Sequence, residues 1–306
     1  VIHKKINLNK QKTAILSTYI LDGEISYKVK KKRPAIIICP GGGYLTTATK
    51  EGEAVAVEFM SQGYHSFVLK YSTYFKERMV DLKAVPPINR NAKYPQQIIE
   101  LMEAMHLIHQ NAEEWNIDKE NIFILGFSAG GHIAASLGNR WKDKELMEQL
   151  SFVPQKDELK PKGTILGYPM LKGDIEEYIL SNTADNNSIR HQTKYIYDCL
   201  YGTIKPTEKQ FEKLDMVSSV NQHTPPTFIW TTRTDEVIDP QNATKFVLSM
   251  QEKQINCEYH LFEEGKHGLS LATDLYASSQ EDISLEVSMW IPLVINWLKK
   301  QCEKSR

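Results

Sequence analysis

The chain has 306 residues, 41% apolar and 25% charged, the balance of a globular protein able to build a sizeable core. With 37 basic and 38 acidic side chains the formal net charge is -1, which gives no electrostatic basis for a nucleic-acid, acidic-polymer or membrane-surface partner. No apolar run approaches the roughly 20 residues that span a bilayer, and the opening VIHKKINLNK is too polar for the core of a secretory leader.

Cys39, Cys199, Cys257 and Cys302 are scattered, with no CxxC pair. This usage predicts reduced thiols and a cytoplasmic location, with a segment removed ahead of the chain left open. Cys39 ends an apolar run and reads as packed core.

Lys4–Leu8 and Thr13–Ile20 are candidate edge strands. Ala35–Cys39 is a short β-branched run, the pattern of a strand buried on both faces. Pro40 and three glycines stop it. Glu53–Gln62 reads as a helix ended by Gly63, and His65–Tyr71 as the next strand. Tyr94–Trp115 is a long helical pattern with Pro95 in its first turn and Ile98, Leu101, Met105 and Ile108 at helical spacing. Further strands are expected at Ile122–Leu125, Thr164–Tyr168, Thr227–Thr232 and Glu258–Phe262, and helices at Ile133–Leu137, Ala243–Glu252 and Leu285–Lys300. Strands alternating with helices predict an α/β fold with a mostly parallel sheet covered on both faces, forming one domain over residues 1–306.

Two stretches break this rhythm. Ser72–Lys93 is a loop with Pro86 and Pro87. Leu171–Pro226 is polar and aromatic, with Tyr178, Tyr195, Tyr197 and Tyr201. Long insertions in a compact domain serve as lids, caps or binding loops. Residues 171–226 are therefore read as a cap insertion walling a substrate pocket, the alternative being an inert excursion. The tyrosines are read either as sugar-stacking platforms or as core.

Gly126-Phe127-Ser128-Ala129-Gly130 matches G-x-S-x-G, between the apolar strand IFIL and a helix start. That setting is what a nucleophile elbow requires. Small neighbours let strand and helix approach closely, and the serine oxygen projects above the sheet at a helix N-terminus. The competing role for Ser128 is a helix cap. Pro40-Gly41-Gly42-Gly43-Tyr44 follows the first buried strand. Its glycines suit an oxyanion-binding loop, with Ala129 supplying the amide after the nucleophile and Tyr44 as a candidate substrate contact. A phosphate loop is disfavoured, because neither G-x-x-x-x-G-K-[ST] nor G-x-G-x-x-G is present.

A serine hydroxyl needs a base. Of nine histidines, His267 lies between glycines in FEEGKHG, just past the last strand. His132 is expected to be structural, His106 and His109 lack catalytic context, and His260 reads as a wall residue. Asp235 and Asp239 follow the strand Thr227–Thr232. Asp235, nearer the strand, is assigned as partner of the histidine, and Asp239 as the cap of the helix beginning near Pro240. The order Ser, Asp, His is that of α/β-hydrolases.

Taken together, CPGGGY, GFSAGGH, TDEVI and FEEGKHG resemble bacterial esterase/lipase proteins related to acetylxylan esterases and to the esterase domain of feruloyl esterases. The resemblance covers about Pro34 to the final helix and is weak in the two insertions. It implies the α/β-hydrolase fold, a triad of Ser128, Asp235 and His267, an oxyanion hole of Gly42, Gly43 and Ala129, and hydrolysis of small, often acetyl, esters without metal or cofactor. Pro40 stands where HGGG-type lipases carry histidine, and Lys266 where glycine is frequent. The implied partner is a small-molecule or oligosaccharide ester, and a homodimer has no sequence signature. Two rival readings remain: a peptidase or amidase on the same fold, and a non-catalytic ligand-binding protein.

Overall fold

The computed structural model describes residues 1–22, 32–77, 85–182 and 186–303, without the side chains of 186–189. Among these, eight strands form one sheet in the order β1-β2-β4-β3-β5-β6-β7-β8. They are β1 (Lys5–Asn7), β2 (Ile15–Tyr19), β3 (Arg33–Cys39), β4 (His65–Lys70), β5 (Ile117–Phe127), β6 (Gly163–Gly167), β7 (Thr227–Thr232) and β8 (Cys257–Phe262). From β4 to β8 all pairings are parallel, while β1 and β2 add antiparallel at one side. Thr13–Ile20, expected at an edge, is therefore an inner strand, because Lys5–Asn7 pairs along its outer side. This is the α/β-hydrolase fold.

Successive strand residues feed opposite cores, as period two demands. Ile37 and Ile124 pack on one face of the sheet, and Ile36, Ile38, Phe123 and Leu125 on the other. Helices α1 (Glu53–Ser61) and α10 (Trp290–Glu303) cover the second face. The first is covered by α2 (Gln96–Gln110), α3 (Ser128–Arg140) and α8 (Gln241–Glu252). The short α4 (Lys144–Met147) follows α3.

The helix expected over Leu285–Lys300 is two: α9 (Leu285–Ser288) and α10, parted at Met289. Pro292 explains the break, since its ring would clash with the carbonyl of Ser288 in a continuous helix but is tolerated in a first turn. The N-cap position of α8 is Pro240, and Asp239, one residue ahead of it, accepts from the Gln241 amide at 2.9 Å.

Residues 171–226 carry α5 (Glu176–Asn182), α6 (Asn186–Tyr201) and α7 (Glu208–Lys213). Of the loop Ser72–Lys93, residues 78–84 lie outside the described set; Phe75 and Ile88 pair across it.

Candidate active site

The elbow between β5 and α3 places Ser128 at φ 51°, a left-handed backbone that a non-glycine residue adopts only under constraint. Close packing supplies the constraint. A methyl group at Gly130 would lie 2.0 Å from the carbonyl oxygen of Cys39 on β3, so only glycine lets the helix start this near the sheet. The Met170 amide donates to the Ser128 carbonyl at 3.0 Å, tying the turn to the chain leaving β6.

His267 Nε2 lies 2.9 Å from Ser128 Oγ, and His267 Nδ1 lies 2.7 Å from Asp235 Oδ2. Asp235 is buried, and its other oxygen accepts from the amides of Val237 and Ile238 at 2.9 and 2.8 Å. The carboxylate is thereby held with one oxygen left for the imidazole, which fixes the tautomer with hydrogen on Nδ1. Burial pulls the His267 pKa down. The charge and hydrogen bond of Asp235, with the charges of Glu51 and Glu236, outweigh this and hold it above the ordinary histidine value. Glu236 also accepts from the His267 amide at 3.2 Å.

The glycine loop is held bond by bond. Tyr71 donates to the Pro40 carbonyl at 2.8 Å, and the Gly41 amide to Glu51 Oε2 at 2.6 Å. The Gly41 carbonyl accepts from Ala48, and that of Gly42 from Leu45 and Thr46. The Gly42 and Gly43 amides donate to none of the described groups, and both glycines line the cavity above Ser128. Gly42 has φ +118°, a conformation open to glycine alone.

Tyr44 requires a correction. Its side chain is fully buried and absent from the cavity wall, with its hydroxyl 2.7 Å from His132 Nδ1. A phenol hydroxyl buried here needs a polar partner, and it finds one beneath the loop instead of in the pocket. His132 Nε2 lies 3.1 Å from the Leu214 carbonyl, and burial lowers its pKa to about 4. It is a neutral structural residue. His106 pairs with Glu158 and stacks on Phe152, away from the site. His260 pairs with Glu258 on the edge strand and lines no part of this cavity.

The cavity has a volume of about 530 Å³. Ile175, Ile179 and Ile196 enter its wall from segment 171–226, and Phe75 from the other insertion. A methyl group at Gly43 would lie 3.3 Å from Ile196 Cδ1, so this side chain roofs the glycine loop. None of the four tyrosines of segment 171–226 lines the cavity. Tyr197 and Tyr201 pack edge-on against Phe211, Tyr195 packs against Tyr74 and Phe75, and Tyr178 donates to the Asp235 carbonyl. The core alternative describes Tyr195, Tyr197 and Tyr201, while Tyr178 is half-buried and fits neither reading. Sequence reasoning missed Glu51 and Tyr168: the Tyr168 hydroxyl donates to Glu51 Oε1 at 2.7 Å, and its ring meets that of His267 edge-on at 5.0 Å.

Known proteins share this chain's sequence and shape. An endo-1,4-beta-xylanase B of Butyrivibrio fibrisolvens is 30% identical over 261 residues, 84% of this chain and 36% of that protein. An acetylxylan esterase of Xylanibacter ruminicola is 22% identical over 245 residues, 78% of this chain and 42% of that protein. The chain thus spans less than half the length of these curated relatives. The carboxylesterase Cest-2923 of Lactobacillus plantarum superposes with a TM-score of 0.75 at 26% identity, over 98% of both chains. Residues 21–250 match the family model BD-FAE, and with three quarters of its length inside that match the chain belongs to the BD-FAE family.

Proposed function

We propose that the chain is a serine carboxylic-ester hydrolase acting on small acyl, above all acetyl, esters through an acyl-enzyme. The observation that carries this reading is the pair of contacts from His267, 2.9 Å to Ser128 Oγ and 2.7 Å to Asp235 Oδ2, at the floor of a cavity. His267 takes the Ser128 proton as the oxygen attacks the ester carbonyl, and Asp235 stabilises the imidazolium. The amides of Gly42, Gly43 and Ala129 receive the oxyanion, each contributing about 3–4 kcal/mol to the transition state. His267 returns the proton to the departing alcohol. It then activates the water that frees the acid, and no metal or cofactor enters a step.

Segment 171–226 acts in this reading as a cap. Its isoleucines, with Val237 and Ile238, give the cavity an apolar side for the acyl group, while Thr46, Lys50 and Gln192 give polar groups for the alcohol. The names of the relatives, an acetylxylan esterase and a carboxylesterase, support esters as the substrate class and acetylated xylan fragments as candidates.

The test is a ladder of p-nitrophenyl esters beside acetylated xylo-oligosaccharides, with matched anilides. Expected are ester turnover, far slower anilide cleavage, and a kcat on p-nitrophenyl acetate about 10⁴-fold or more lower in Ser128→Ala. Near wild-type turnover by that variant removes the mechanism, and equal rates on anilides turn the reading to an amidase.

A further inference from the structure

Glu51 is buried, lies outside the Ser–His–Asp constellation, and touches both of its backbone supports. Its Oε2 accepts from the Gly41 amide at 2.6 Å, at the root of the glycine loop. Its Oε1 accepts from the Tyr168 hydroxyl at 2.7 Å. That hydroxyl in turn accepts from the Ser270 amide at 2.9 Å, three residues after His267. Ser270 Oγ closes the circuit by donating to the Lys50 carbonyl at 2.7 Å.

We propose that Glu51 is a positioning residue that, as an ionised carboxylate, locks the glycine loop to the histidine loop through Tyr168. This rests on the serine-esterase reading and names a residue that reading leaves out. Each Glu51 oxygen accepts a hydrogen bond; a proton on Oε2 would set O–H against the Gly41 N–H, and a proton on Oε1 would force the Tyr168 hydroxyl to turn its own proton away. Glutamine has the same shape but no charge: with its oxygen on the Gly41 amide, its NH2 can only donate to the Tyr168 hydroxyl, which reverses that bond and takes the acceptor from the phenol proton. The charge itself acts on His267, favouring the imidazolium that forms as the serine attacks. Burial holds the pKa of Glu51 above the ordinary carboxylate value, a rise that its two hydrogen bonds and the charges of His267 and Lys50 lessen.

The decisive comparison is wild type against Glu51→Gln, read as kcat, KM, the pH profile of kcat/KM, and the NMR titration of His267. Expected is a fall in kcat of about 10- to 100-fold, less than deleting an oxyanion donor outright, with KM changed less than kcat. The acidic limb of the profile and the His267 titration both move to lower pH, which lost packing alone would not produce. Wild-type kcat with an unmoved titration overturns the proposal. If Glu51→Gln proves unfolded by circular dichroism, Tyr168→Phe carries the test, because it removes the bridging hydroxyl and keeps the charge. There kcat falls with KM held, and an unchanged kcat overturns the proposal. A wild-type chain that cleaves no ester, yet whose His267 titration still follows Glu51, sinks the esterase reading and supports the coupling.

Discussion

The Tyr178 hydroxyl donates to the backbone carbonyl of Asp235 at 2.6 Å. Segment 171–226 is therefore fastened directly to the loop that presents the carboxylate to His267. Tyr178→Phe removes one neutral hydrogen bond, a loss of about 1 kcal/mol. The expected result is a small drop in Tm and a few-fold fall in kcat. An unchanged kcat in steady-state assays would show that the tie has no bearing on turnover.

Asp235 and Asp239 lie four residues apart and do different work. Asp235→Asn leaves the shape intact but sets an amide against the imidazole, inverting the favoured tautomer. A loss of about 10⁴-fold in kcat is expected. Asp239→Asn keeps an oxygen for the Gln241 amide and should stay within a few-fold of wild type. Kinetics of the two purified variants, with folding checked by circular dichroism, separate the roles.

The direction of the His267 shift fixes the acidic limb of activity. Its pKa is raised above 6.5, so the imidazole becomes a free base only at higher pH. The kcat/KM profile should rise with a midpoint above 6.5. A midpoint below that value would overturn the direction of the shift, and a flat profile from pH 5 to 8 would remove His267 as the base.

His65 should govern part of the acid stability. Its side chain is buried, and Nδ1 accepts from the Leu21 amide at 3.1 Å. Burial, with the charge of Arg33, lowers its pKa from 6.5 to about 4. Between those values the unfolded chain binds more protons, so the contribution is complete above 6.5 and is lost as pH falls toward 4. His65→Asn keeps an acceptor for Leu21 and cannot titrate. Tm measured from pH 7.5 to 4.5 should fall less in this variant, and parallel curves would refute the assignment.

Gly130→Ala tests the elbow's packing. The added methyl meets the backbone of β3, which cannot swing aside as a side chain would. The cost should reach or exceed the upper end of the overpacking range, about 3 kcal/mol, in urea unfolding. A variant as stable as wild type would mean that strand and helix can separate.

The residues set around Ser128 were legible where signal and structure are both local. G-x-S-x-G states the sharp turn and its steric demand in five residues, and FEEGKHG marks a histidine on a loop after a strand. The strands were legible because burial on both faces leaves an unbroken apolar run, as in AIIIC. Glu51 was not legible, because its partners Gly41 and Tyr168 lie 10 and 117 positions away, and nothing in TKEGE separates it from a solvated charge. Tyr44 misled for a related reason. Its backbone belongs to the glycine loop, but its ring turns away at φ 63° toward His132. The break at Met289 was readable from Pro292, whose ring acts on the carbonyl four residues upstream, that of Ser288.

That bond from Tyr44 to His132 has a mechanical consequence. His132 is the fifth residue of the helix whose first residue is Ser128, so one helix carries the Ser128 hydroxyl at its tip and the anchor of the glycine loop one turn along. When thermal motion rocks that helix, both ride on it. In the proposed mechanism this shared support would keep the hydroxyl and the loop amides in step.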